Sequence, residues 1–193
     1  MTTKFASFLL AVAFAAACGN DSGGGPGGLT ASQIPVAHTP PGGYGSDFPA
    51  PILDRCTEPL VAGAPDLRGM WLVVGVEVNG APAPADHPAF GQFQRVEQCG
   101  DRLVVTAGGI IHDMRCDGTF ENGVHDVLER DYTTPIDVIA TYEDGVHVLR
   151  PVAAPGIEVT RRRDGEFMVW KYLTFTARLE RLGPPETPPP TAR

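Results

Sequence analysis

No serine follows Ser46, so any domain beyond that point lacks the hydroxyl nucleophile of a serine hydrolase, and no Gly-x-Ser-x-Gly elbow occurs in the chain. Serine-hydrolase chemistry is thereby excluded. Basic side chains are scarce as well: 15 Lys and Arg against 23 Asp and Glu give a formal charge of -8. Phosphate binding draws its strength from a basic face and the counterions it displaces, so no nucleic-acid partner is expected. Cysteine is limited to 4 residues with no Cys-x-x-Cys pair, which argues against a structural zinc site. The apolar and small-residue run Phe5 to Ala17 is shorter than the roughly 20 residues of a membrane-spanning helix.

What the chain has in quantity is glycine (23) and proline (19), unevenly distributed. Residues 1 to 17 carry Lys4 and then the apolar run, ending Ala15-Ala16-Ala17-Cys18, the form of a secretory signal peptide. A cysteine directly after small residues resembles the lipobox of bacterial lipoproteins, with Ala15 standing where that family usually has leucine. A plain secretory signal is the alternative. The resemblance implies that Cys18 becomes the lipidated, palmitate-bearing first residue of the mature protein, anchored to a membrane. Gly19, in place of an aspartate, implies the outer membrane of a bacterial cell envelope. Residues 18 to 65 read as the lipidated cysteine and a flexible Gly/Pro-rich linker, too poor in apolar side chains to offset the entropy of ordering. Its later part, Phe48 to Cys56, is more apolar and suits contact with a folded domain. Residues 184 to 193 hold five prolines and read as a disordered tail.

From residue 66 to 183 the texture changes to short β-branched and aromatic runs punctuated by Asn79-Gly80, Gly108-Gly109, Asp117-Gly118, Asn122-Gly123, Asp144-Gly145 and Asp164-Gly165. Such pairs supply the positive φ of tight hairpin turns, so their repetition predicts an antiparallel meander. Leu173, Phe175, Ala177 and Leu179 alternate with Thr174, Thr176, Arg178 and Glu180, as a strand with one wet side does. The predicted strands are 68 to 78, 90 to 98, 102 to 107, 109 to 115, 119 to 128, 136 to 143, 146 to 151, 156 to 163 and 166 to 182, the last bent or split near Tyr172. The fold class is all-β, an up-and-down β-barrel of about 8 to 10 strands, since closure removes exposed edges.

Gly69-Met70-Trp71 in the first strand of such a meander resembles the Gly-x-Trp signature of lipocalins and their calycin relatives. The Thr-Asp-Tyr signature of many lipocalins is absent, so the likeness is to a small bacterial lipocalin-like lipoprotein. It implies that Gly69 and Trp71 close one end of the barrel, with Arg178 or Arg181 of the last strand packed across the indole. It also implies a small hydrophobic ligand inside, with Leu72, Val74, Val76, Ile110, His112, Met114, Ile136, Val138, Ala140 and Phe175 as inward candidates. The alternative is a structural or assembly lipoprotein whose barrel is packed solid and whose partners are proteins.

With Cys18 assigned to lipid, Cys56, Cys99 and Cys116 remain in an oxidising compartment, all at the barrel end where the chain joins it. Cys56, on the incoming segment, is expected to bond Cys99 or Cys116, because those two stand on alternate strands, too far apart to bond each other. Ile111-His112-Asp113 and Val124-His125-Asp126, with His147, are the candidate metal ligands. Neighbouring residues on a strand face opposite ways, so a His-Asp dipeptide does not present both groups to one ion, and no metal or other cofactor is expected. His112 shares a face with Ile110 and Met114 and reads as an interior, hydrogen-bonded histidine. Arg161-Arg162-Arg163 reads as the solvated arm of a hairpin. No residue is assigned a catalytic role, and the chain is read as a monomeric non-enzyme.

Overall fold

The computed structural model describes residues 27–45 and 48–189; the predicted signal peptide and Cys18 lie outside them. Eleven strands form one antiparallel sheet: β1 Gly69–Val78, β2 Ala81–Pro82, β3 Phe93–Cys99, β4 Arg102–Ala107, β5 Ile110–Arg115, β6 Val124–Val127, β7 Pro135–Glu143, β8 Val146–Pro151, β9 Val159–Asp164, β10 Phe167–Tyr172 and β11 Phe175–Gly183. Their order is β5-β4-β3-β1-β11-β10-β9-β8-β7-β6, with the short β2 paired only to β1. First and last strands are therefore neighbours, and the sheet curls into a nearly closed barrel. At the remaining seam Arg115 N–H donates to Asn122 O at 2.8 Å and Gly118 N–H to Ala140 O at 3.0 Å.

The turn dipeptides do what their chemistry allows. Asn79-Gly80 and Asp144-Gly145 both have two consecutive positive φ angles (53° and 78°, 49° and 77°), as tight two-residue hairpins require. The final segment splits next to Tyr172, as expected from the sequence, because Leu173 adopts φ 42° and turns β10 back into β11.

Between Val73 and Gly75 the β1–β11 register slips, leaving Val74 unpaired and 41% exposed. This bulge puts Trp71, Val73 and Val76 inside the barrel. Trp71 has no exposed area, and its Nε1 donates to Leu67 O at 2.8 Å, tying the indole to the chain just before β1. A Cβ on Gly69 would come within 2.9 Å of Arg181 Nε and 3.1 Å of Trp71 Nε1, so glycine is required for this close approach. The arginine over the indole is neither of the two expected from the lipocalin resemblance. Arg163 lies there, 5.1 Å from the ring centroid, while Arg178 covers Phe167 and Arg181 Nε donates to Arg68 O at 3.1 Å. In a closed barrel β9 reaches across the end as readily as β11, and the inward side of β9 carries Arg163.

Much of the segment read as linker is laid on the barrel. Residues 29–45 and 48–58 form a strap across the outer face of β3, β4 and β5, where Ala31 and Leu53 pack with Cys99, Val104 and Ile111 in a second apolar cluster. The strap is held through its backbone, whose polar groups meet charged side chains: Leu53 N–H donates to Glu97 (2.6 Å), Ala37 N–H to Asp113 (2.9 Å) and Thr39 N–H to Asp126 (2.9 Å). Arg102 donates to the carbonyls of Ala31, Ile34 and Pro35. A disulfide joins Cys56 to Cys99, with Cα atoms 6.1 Å apart. Cys116 is buried and free among the described residues, and burial pushes its thiol up to about 12, so it is inert at neutral pH. The beginning of the predicted tail also has a partner, since Pro185 O accepts from Arg95 Nε at 2.8 Å.

Two outcomes are expected from this packing. Trp71→Ala empties a fully buried site, which costs about 3 to 5 kcal/mol and lowers the calorimetric Tm by on the order of 10 °C; an unchanged Tm rules out the closing role. Burial raises the Glu97 carboxyl from 4.5 to about 7, the Leu53 N–H and Arg95 offsetting only part of this. A raised folded value means that the protonated group's stabilisation is complete below pH 4.5 and is lost as pH climbs through about 7. Glu97→Gln keeps an acceptor for Leu53 without the charge. It is expected to be more stable than the native chain at pH 8 by about 2 to 3 kcal/mol, with the gap closing at acid pH. A gap that does not depend on pH in calorimetry removes Glu97 as its source.

Candidate functional site

Cross-strand partners share a face of a sheet. Following the register from β7 to β1 gives one inward layer: Tyr142 opposite His147, His147 opposite Arg161, Arg161 opposite Trp170, Trp170 opposite Ala177 and Ala177 opposite Val76. Between this layer and the end bearing Asn79-Gly80 the interior is packed solid only on the β1 side. The remainder is a cavity of about 200 Å³.

One wall of the cavity is Val105, Ala107, Ile110 and His112 from β4 and β5, and the facing wall is Ile136, Val138, Leu149 and Val159 from β7, β8 and β9. Leu128, Glu129, Tyr172 and Leu173 form its mouth, and Leu173 at the β10–β11 turn is 55% exposed. Gln94, Arg161 and Trp170 form its inner end. Hollows on the outer surface are larger. The one of about 420 Å³ between the strap and β5–β6 has a mixed lining, and its Arg102 and Asp113 already pair with each other at 2.6 Å.

The electrostatics of the inner end are unusual. Arg161 is 6% exposed, its guanidinium lies 5.4 Å from the Trp170 ring centroid, and its one hydrogen bond among the described residues is from Nε to Gln94 Oε1 at 3.3 Å. Its Nη1 has no partner, and neither do Trp170 Nε1 or the two ring nitrogens of the fully buried His147. Burial pulls the Arg161 pKa down to about 10, leaving it charged at neutral pH. Burial, with the charge of Arg161 beside it, drives His147 well below its ordinary value, so that ring is neutral. His112 is also lowered by burial and hydrogen-bonds Val127 O through Nε2 at 3.2 Å. At the mouth Glu129 is raised by burial. Buried polar groups are nearly always paired, and a buried cation without an anion costs several kcal/mol, so this layer is strained until something completes it.

Of the residues predicted to face a ligand, Ile110, His112, Ile136 and Val138 line the cavity. Val76, Met114 and Ala140 point inward but belong to the packed core. Phe175 packs edge-on to Trp170 at 5.2 Å, outside the lining. Leu72 and Val74 do not line the cavity: they lie on the opposite side of β1 from Trp71 and Val73, because side chains alternate along the strand and the bulge at Val74 shifts the alternation. The Arg161-Arg162-Arg163 run is not a solvated arm. Arg162 is exposed, but Arg161 and Arg163 take the inward positions of β9. Period-2 reading of Val159, Arg161 and Arg163 carried that signal, and only pairing with His147 and Trp170 shows its sign.

The histidines expected as metal candidates do not converge. His125 sits outside the barrel, bonded to Asp137 at 2.6 Å and raised by that carboxylate, whereas His112 and His147 lie inside. Among the described residues, the group spaced for metal ligation is Cys56, Glu58 and Cys99, whose thiols are consumed by the disulfide. No protein-family model and no curated protein matches the chain, so the class of molecule is defined by its own geometry: a nearly closed antiparallel barrel with an internal, largely apolar cavity.

If the Arg161 charge is uncompensated in the empty protein, Arg161→Met raises its stability. The expected gain is about 1 to 4 kcal/mol in denaturant unfolding of ligand-free protein; a loss of stability shows that a group within the chain already balances the charge.

Proposed function

We propose that this chain is a binding protein of the bacterial cell envelope, a small lipocalin-like lipoprotein that holds one small hydrophobic ligand inside its barrel. The observation that carries the reading is the cavity of about 200 Å³ with two apolar walls and a mouth at one end. A barrel serving only as a scaffold for assembly has no use for such a void, because each unfilled volume forfeits packing energy. The Cys56–Cys99 disulfide supports an oxidising compartment. Lys4, the run Phe5 to Ala17 and the small residues before Cys18 support export and lipidation at Cys18, with Gly19 favouring the outer membrane. The strap begins at Leu29, bridged to Cys56 beside Cys99 at the barrel end opposite the mouth, so a tether from Cys18 leaves the mouth free.

Native mass spectrometry of the full chain, expressed in a lipoprotein-processing bacterium and extracted in mild detergent, tests both parts. The expected covalent mass begins at Cys18 and carries acyl groups. The folded protein is expected to carry a small molecule that is released on unfolding. A mass beginning elsewhere without acyl groups refutes the anchor. An empty barrel that also fails to take up a neutral apolar probe such as 1-hexanol refutes the binding role.

A further inference from the structure

We propose that the cavity selects an amphiphilic monocarboxylate of about 8 to 10 non-hydrogen atoms, whose carboxylate completes the unpaired Arg161 guanidinium at the inner end and whose apolar body lies along β4, β5, β7 and β8. This rests on the binding role proposed above and specifies its ligand.

Three buried arginines make the comparison within one molecule. Arg102 has a bidentate carboxylate partner in Asp113, at 2.8 and 2.6 Å. Arg95 donates to Pro185 O and Pro49 O and lies 4.6 Å from the centroid of the Phe48 ring. Arg161 has one long hydrogen bond to a neutral amide, and no carboxylate of the described chain pairs with it. The first two fasten the strap; the third faces a void. A guanidinium is matched best by a planar anion accepting two parallel N–H groups, which is a carboxylate. Trp170 Nε1 and the N–H of the neutral His147 ring, also without partners among the described residues, suit an acceptor as well.

Charge and volume narrow the class. One guanidinium neutralises one negative charge, and His147 and His112 beside it are neutral, so a dianion such as a phosphate monoester would leave a buried charge unpaired. A cation would meet Arg161 with like charge. Glu129, the carboxylate lining the cavity, is at the mouth against Gly108 and does not bond Arg161. The volume of about 200 Å³ corresponds to roughly seven waters at about 30 Å³ each, which suits hexanoate or benzoate. The walls beyond the guanidinium offer Val105, Ile110, Val138 and Leu149 and few polar groups, so the remainder of the occupant is apolar.

Hexanoate and hexanamide have the same number of heavy atoms and differ in charge, and titration calorimetry of the purified full chain with each decides the matter. Trp170 fluorescence provides a second readout. Hexanoate is expected to bind at least tenfold more tightly than hexanamide, and Arg161→Gln is expected to abolish that preference while hexanamide binding persists. Equal affinity of the native chain for both overturns anion selection and leaves the binding role standing. Binding of neither overturns the inference and the binding role together. A preference for hexanoate that survives in folded Arg161→Gln overturns the assignment to Arg161.

Discussion

The Arg102 guanidinium has five N–H donors, and in this structure it makes five hydrogen bonds: two to Asp113 and three to the carbonyls of Ala31, Ile34 and Pro35. That one side chain converts a proline-rich approach segment into a second layer. A buried charge of this kind is tolerated because its partners satisfy it completely. With the strap in place, the outer face of β3–β5 is as buried as the inner one, and neither β3 nor β4 has the alternating burial of β7. The disulfide from Cys56 to Cys99 closes the far end of the same strap.

Inside the barrel the opposite principle operates. The half nearest the Cys56–Cys99 disulfide is filled by Trp71, Leu103, Met114, Met168 and Leu179 and is closely packed. The other half keeps a void, and at its inner end stands an arginine that has one long hydrogen bond to an amide where Arg102 has five to a carboxylate and carbonyls. Close packing and the cavity are thus separated along the barrel axis. The packed half bears the closure between first and last strands, which frees the open half to carry unfavourable groups, the ones assigned above to a proposed ligand.

Local signals in the sequence read well wherever they were sufficient. Hairpins between β4 and β5, β7 and β8, and β9 and β10 follow from glycine-containing dipeptides between apolar runs, because positive φ is a property of two residues and needs no distant partner. The pairing of Cys56 with a strand-end cysteine was legible from strand direction, and the choice of Cys99 was not. The strap was read as a linker because its apolar content is low. What holds it are bonds such as Leu53 N–H to Glu97 and Arg102 to Pro35 O, between residues 44 and 67 positions apart, and composition contains no trace of them. Leu72 and Val74 were placed inside by strict alternation, which a single-residue bulge is enough to invert.

Sequence by itself determined the strand class, several of the hairpin turns and the meander, since alternation and turn geometry are set by a few adjacent residues; the predicted strand 119 to 128 is shortened to Val124–Val127 because residues before it turn. It also supplied every chemical group of the interior. Which of those groups are paired was decided only by tertiary structure, because pairing is a relation across strands. Arg102 and Arg161 are the same residue type, each buried on a strand of the barrel. Asp113 stands diagonally across from one, beside its register partner Val104 on the covered face, whereas His147, Trp170 and the neutral amide of Gln94 stand beside the other. The difference between an anchor and a proposed recognition group lies in which side chains from neighbouring strands reach each guanidinium.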